Sequence, residues 1–428
     1  MKAVSNLKFQ TPDFMAVGLV AAAAVPALLF GAVEYWAMAA SGALAIIVFM
    51  AGVFTYSGGI GGKKKLICTA LALVLYLVFQ MVPLPASVLG LLEPRMAAMM
   101  GPVAFHSVTV YQFKTEEALA RLAVYLMVFF TSALFIDGRS VNKVLKGLSI
   151  FGFALALFAI VQHVTWNGKI YWFASFTPGG NPFGPFVDRD HFPGYINMII
   201  PLSLAVAVAS KSIEKKVLYT FFAAVMALSV FLSLSRGGVI SFICGLAVFS
   251  AILLIRRSPK WQLMLLAVFA VAFASFVLYA GVAPLLARFS KEGVSDTARL
   301  MAWKGAWAAF RDFPVFGTGL GTFVNVFTYY QPIHLQKIWE HAHNDYLELL
   351  TEGGLAGFLI SAAFVVAILR AAFGEKSNWE GRAAYFKAGF IASLVTISVH
   401  SFVDFNLHVP SNAILLSIII GLAVAKGD

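Results

Sequence analysis

Apolar residues fall in blocks of about twenty along this chain, broken by short polar or glycine-rich stretches. Blocks of that length match the roughly 20 residues an α-helix needs to cross a bilayer. They lie near 14–33, 36–54, 66–82, 118–136, 147–165, 192–209, 217–234, 238–255, 261–281, 354–372, 388–403 and 411–425. The breaks hold turn formers and charge: Gly58-Gly59 through Lys65, Asp137-Gly138-Arg139, Lys211 to Lys216, and Arg256 to Lys260. This pattern predicts an all-α polytopic membrane protein of about 12 transmembrane helices, a single transmembrane domain over residues 1–428. Three longer connections, 83–117, 166–191 and 282–353, fall on one side. The first, with Pro83, Pro85 and Pro94, is expected to lie along the membrane interface. The last, between helices 9 and 10, is long enough for short helices of its own and is where chemistry is sought.

Composition agrees with a bilayer as the main solvent. The chain is 60% hydrophobic and 12% charged, with a mean hydropathy of +0.85, whereas soluble domains carry about 25% charged residues. The net charge of +11 would suit nucleic acid if it formed a patch. Instead the basic residues gather on one set of connections, as in Lys63-Lys64-Lys65 and Lys215-Lys216. The positive-inside rule places those connections, and both termini, in the cytoplasm. The partner this charge implies is the phospholipid bilayer, with no nucleic acid. The first span, after Lys2 and Lys8, is expected to be an uncleaved helix. Cys68 and Cys244 lie in apolar runs and form neither a disulfide framework nor a metal-binding pair. With no GxxxxGK[ST] loop, an ATP-driven pump is not expected.

The densest polar stretch is Glu340-His341-Ala342-His343-Asn344-Asp345, running on through Glu348 to Glu352-Gly353-Gly354. Asn344 or Asp345 suits a helix N-cap, and the glycine pair suits a helix end. His341, Asp345, Glu348 and Glu352 recur at i, i+4, i+7 and i+11 and share one helical face. That face is either the solvated side of an amphipathic helix or a site at the mouth of the bundle. His341, His343 and Asp345 could hold a metal, but no HExxH or comparable spacing supports one, and no metal or other cofactor is expected. Arg236, in Ser235-Arg236-Gly237-Gly238, stands on the side where positive charge is disfavoured. An arginine at a helix centre costs about 2.5–3.5 kcal/mol, and its planar fork matches phosphate oxygens. It is either a snorkelling side chain or a ligand for a lipid-linked phosphate. Ser295 or Asp296 is expected to cap a loop helix bearing Arg299, Trp303, Trp307 and Phe310. Gly317-Thr318-Gly319-Leu320-Gly321 has no strand before it and reads as a turn. Arg189 and His191 stand at the entrance of the sixth span, and Asp404 and His408 belong to the last connection.

Arg236 in its SRGG setting, Arg299, the segment Pro314 to Phe323 and the stretch HAHNDYLELLTEGGLAG together resemble the O-antigen ligase and polymerase superfamily. The loop signature of that family is His, then Asn, Ser or Gln, nine residues, Gly, two residues, and Gly or a substitute. Here His343-Asn344 is followed by residues 345–353, then Gly354, Leu355-Ala356 and Gly357. The resemblance covers most of the chain and is specific over roughly 230–360.

It implies a multi-pass enzyme of the bacterial inner membrane with a periplasmic catalytic loop, 282–353, inserted in the transmembrane domain. The donor it implies is a glycan on undecaprenyl diphosphate, and the acceptor is a hydroxyl of lipid A–core, a growing glycan or a protein. Arg236 and Arg299 would bind the diphosphate and His343 would act at the acceptor. His341, Asn344, Asp345, Glu348, Arg189 and His191 would contact substrate or orient the imidazoles. Neither metal nor nucleotide is implied. An imidazole with an unperturbed pKa near 6.5 suits proton removal at neutral pH. Attack opposite the diphosphate would invert the anomeric carbon. A transporter of lipid-linked sugars would show paired half-spans and mid-membrane charges, whereas here the polar residues concentrate in one external loop.

Overall fold

The computed structural model describes residues 11–55, 63–102, 104–175, 181–256, 259, 261–262, 269, 293–331, 338–374 and 381–425. Its helices, in chain order, are α1 (Thr11–Leu28), α2 (Tyr35–Thr55), α3 (Lys64–Met81), α4 (Ala86–Leu92), α5 (Pro94–Met100), α6 (Gln112–Leu134), α7 (Gly138–Val164) and α8 (His191–Ala209). After these come α9 (Ile213–Leu232), α10 (Arg236–Ile255), α11 (Gly293–Asp312), α12 (Phe323–Tyr330), α13 (Asp345–Phe373), α14 (Gly381–His400) and α15 (Pro410–Val424). Among the described residues the only strand pairing is Leu84–Pro85 against Phe105–His106. The protein is an all-α polytopic membrane protein. Nine of the described helices are long and apolar enough to span a bilayer, and two shorter apolar helices, Phe14–Leu28 and Pro410–Val424, join them. These eleven coincide with expected runs. The remaining run, 261–281, lies almost wholly outside the described residues.

Helix ends depart from the apolar runs where polar residues cap or extend a helix. α7 begins at Gly138 rather than near 147 because Asp137 caps it, accepting from the Ser140 amide at 2.8 Å. α11 begins at Gly293, so Ser295 and Asp296 fall in its first turn rather than capping it. α13 begins at Asp345 behind its Asn344 cap, and Gly354 interrupts it at φ 56°. The interruption divides a short polar arm from a long apolar rod.

α8 is apolar on every side, and a helix of that kind belongs in the interior. It is buried along nearly its whole length and packs against α7, α9, α10 and α14. Inter-helix hydrogen bonds lock its register. The Asn197 amide donates to Gly238 O (2.8 Å) and Ser241 Oγ (3.0 Å) on α10, and Ser393 of α14 donates to Met198 O at 2.6 Å. The start of α8, the start of α10, the end of α14 and the start of α15 therefore meet at one end of the bundle.

The late loop rests on the early segment at that end. Leu89, Met96, Val108, Ala309, Phe313 and Val326 form an apolar cluster of their own. The 83–117 segment, expected along the interface, is thus the floor of the loop. Buried Glu93 accepts from the Phe316 amide at 2.6 Å. From α3, Tyr76 donates to Gly353 O at 2.6 Å and Gln80 donates to Phe316 O at 2.9 Å. Gly317, Gly319 and Gly321 all have positive φ (69°, 101° and 85°), as a turn requires. Gly317 lies directly against Gly354, where a Cβ on either would run into the other's backbone. The signature glycine is there because the turn sits on the break in α13.

Candidate functional site

Three arginines from three separate segments line one cleft. Arg189 comes from the chain entering α8, Arg236 opens α10 and Arg299 lies on α11, with Asp190, Gly237, His400 and Asp404 completing the wall. Arg236 is placed by a cap: Ser235 Oγ accepts from the Gly238 amide at 3.1 Å. Leu234, just before it, sits at φ 56°. Side chains in that left-handed region cost about 1–3 kcal/mol and cluster at functional sites. Gly237 allows His400 to come close, since a Cβ there would stand 3.1 Å from His400 Nε2. Arg299 Nη2 lies 3.8 Å from Asp190 Oδ2. Three guanidiniums against two carboxylates leave a positive excess, suited to an anion.

Asp404 joins this cleft to His343. Its Oδ1 is 3.4 Å from His343 Nδ1, and the carboxylate is 2% exposed. Burial alone would keep Asp404 protonated, but His343, His191 and His400 around it prevail and hold it well below the usual carboxylate range. His343 has φ 50°, a second strained position in the same site. Its ring stands edge-on to Phe405 at 4.9 Å and to Trp339 at 5.2 Å. The pair stands at ion-pair distance without a hydrogen bond on His343 Nδ1; closing by a few tenths of an ångström gives the carboxylate–imidazole arrangement that orients a general base.

A second network lies two residues away and behaves differently. His341 Nδ1 is 2.7 Å from Glu348 Oε1, whose other oxygen accepts from the Ala342 amide at 2.8 Å. His408 places Nδ1 3.0 Å from Asp345 Oδ1 and Nε2 3.3 Å from Glu348 Oε1. The second Asp345 oxygen accepts from the Leu407 amide at 3.1 Å, and Glu352 accepts from the Phe323 amide at 2.7 Å. Burial of the His408 ring disfavours its charge. Glu348 and Asp345, with Glu352 behind them, outweigh that and raise it to about 10. The face expected to be either solvated or functional is therefore buried: Asp345, Glu348 and Glu352 are at most 5% exposed. His341, Glu348 and His408 hold donor atoms within 4.8 Å of one another. In this structure the three ion-pair or hydrogen-bond with one another and with Asp345, so the set forms a hydrogen-bonded ion network.

Two cavities adjoin this second network. One of about 910 Å³ reaches from Tyr35 and Trp166 to His191 and Phe405, and one of about 380 Å³ reaches Glu348 and Glu352. Both are walled by Lys114, Glu117, Arg121, Glu340, His341 and His408. Phe405 stands between these cavities and His343, stacked on His341 at 4.2 Å.

The structure brings Arg189, Arg236, Arg299 and His343 to one place and sets His191 beside them, 4.8 Å from Phe405 ring to ring. The Asn344 side-chain oxygen caps α13, as its place in the sequence suggested, accepting from Tyr346 (3.1 Å) and Leu347 (3.0 Å). Asp345 and Glu348 hold the arm through His408 and His341. The sequence marks Asp404 and His408 only as polar residues of a connection; the structure places Asp404 against His343 and His408 between Asp345 and Glu348. Residues 221–362, from α9 into α13, match the family model for O-antigen ligase, and this stretch contains Arg236, Arg299 and His343. No curated protein matches the chain.

Proposed function

We propose, on the match of residues 221–362 to the family model for O-antigen ligase, that this protein moves a glycan from undecaprenyl diphosphate to an acceptor hydroxyl at the periplasmic face, with lipid A–core as acceptor. The catalytic loop, 282–353, is an insertion in a single transmembrane domain. The observation that carries this reading is the meeting of Arg189, Arg236 and Arg299 in one cleft beside the His343–Asp404 pair.

The donor diphosphate sits against the guanidiniums, whose planar forks bind its oxygens. The cleft measures only about 30 Å³ with Arg299 turned to Asp190, so the donor displaces that carboxylate as it enters. The acceptor sugar approaches from the neighbouring cavity of about 910 Å³, its hydroxyl passing the Phe405 ring to reach His343. His343 takes the proton of the acceptor hydroxyl, and the oxygen attacks the anomeric carbon on the face opposite the diphosphate. The bond from that carbon to the diphosphate breaks, and the arginines neutralise the charge that gathers on the leaving group. The product is inverted. The donor is already activated, so the scheme uses neither nucleotide nor metal.

The test is glycan transfer by purified protein, offered lipid-diphosphate glycan with lipid A–core, a glycan or a peptide as acceptor. Transfer to lipid A–core, lost in Arg236→Ala, Arg299→Ala and His343→Ala at unchanged folded yield, is the expected outcome. Transfer only to a growing glycan or peptide would replace the acceptor. Movement of donor across vesicles without transfer would replace the reaction.

A further inference from the structure

At the end of the bundle remote from the arginine cleft lies a cavity of about 270 Å³ that the transfer reaction does not use. Lys146 of α7, Lys211 between α8 and α9, Lys215 of α9 and Arg382 of α14 converge on it, with Asn142 and Ser210 as polar wall. Among the described residues no carboxylate lines it and none of these four cations forms an ion pair. Lys146 is close enough to Lys215 and Arg382 to feel their repulsion. The positive-inside rule accounts for the sign of these residues, yet charges spread over the surface would satisfy it at less electrostatic cost. Glu214, next to Lys215, offsets part of this charge, and four cations around one hollow still suit an anion.

The surface beside the cavity says which kind. Ile150, Leu157 and Val161 follow Lys146 at i+4, i+11 and i+15, on the same face of α7, and are 53%, 46% and 45% exposed. An apolar, lipid-facing stripe therefore runs from the basic cavity toward the bilayer centre, as an acyl chain under a bound headgroup would. We propose that this cavity binds the phosphate of an anionic phospholipid, with the chain lying along α7. Basic hollows between helices at a membrane surface hold phosphate headgroups in this way.

The test needs no glycan transfer. Purified protein in neutral detergent is titrated with phosphatidylglycerol, phosphatidylcholine or inorganic phosphate, reading Tm and lipid adducts by native mass spectrometry. Phosphatidylglycerol is expected to raise Tm saturably and remain bound, while phosphatidylcholine does neither. Apparent affinity should fall about five-fold for each cation removed in Lys146→Gln, Lys215→Gln and Arg382→Gln. Arg382→Gln alone, at an exposed position, is the informative variant if the triple change does not fold. An unchanged phosphatidylglycerol response in Arg382→Gln would overturn the site. Inorganic phosphate matching phosphatidylglycerol at equal concentration would overturn the lipid as its occupant.

Discussion

His341 and His343 are two residues apart and belong to opposite kinds of site. His341 enters a network in which Glu348, Asp345 and His408 satisfy one another. His343 faces Asp404 at the edge of a cleft where three arginines outnumber the carboxylates. The first region is electrically closed and fixes the arm before Gly354. The second gathers three guanidiniums and two carboxylates around one cleft that an anion can enter. A run of histidines and acids in a sequence therefore does not tell structure from chemistry by itself. What separates them is the balance of charge: the first region sets carboxylates against imidazoles, whereas the second brings three arginines to one cleft.

Changes in the open region should hit turnover hardest. Arg236→Ala and Arg299→Ala are each expected to lower transfer about 100- to 1,000-fold at unchanged Tm. Lysine at either position should restore little, since it lacks the bidentate fork. Next comes His343→Ala, expected to lower kcat by at least about 100-fold. Asp404→Asn should follow it in kcat with a smaller change in KM, because Asp404 positions the imidazole and does not touch substrate. Equal kcat for Asp404→Asn and wild type would cut the link between the cleft and the base.

The closed region should answer in stability. Removing one partner of a buried ion network costs about 3–5 kcal/mol, so His408→Ala should lower Tm sharply. The sign of the pH dependence follows from the raised pKa. His408 stands near 10 in the fold against about 6.5 unfolded. Its contribution is fully present below about pH 6.5 and fades as pH rises toward 10. Wild type should therefore lose Tm between pH 7 and pH 10, and His408→Gln should lose less. Parallel slopes would show that His408 is not charged in the fold. The smallest expected effect is in Asp190→Asn. Freeing Arg299 from a partly exposed pair should tighten donor binding up to about five-fold, and weaker binding would give Asp190 another role.

Most of the bundle was legible because a spanning helix announces itself in twenty contiguous residues. Its ends were less so: Asp137 carries α7 back over Arg139 to Lys146, a stretch that hydropathy assigns to a connection. The arginines were legible one by one, since each is conspicuous near a membrane edge. Their convergence was not, because it depends on how α8, α10 and α11 pack. Asp404 and His408 escaped for a similar reason. Asp345 and His408, which pair with each other, are 63 residues apart in the chain, and no local pattern relates them. The glycine spacing was visible as a motif, but its cause, Gly317 pressed against Gly354, appears only when the loop turns back onto the arm.

The most direct test separates donor binding from transfer in the same preparations. Binding of lipid-diphosphate glycan to wild type, Arg236→Ala, Arg299→Ala and His343→Ala would be measured alongside turnover with acceptor present. The account predicts that both arginine variants lose binding and turnover together, while His343→Ala keeps donor affinity and loses turnover. Normal transfer by His343→Ala, or normal donor affinity in both arginine variants, would contradict it.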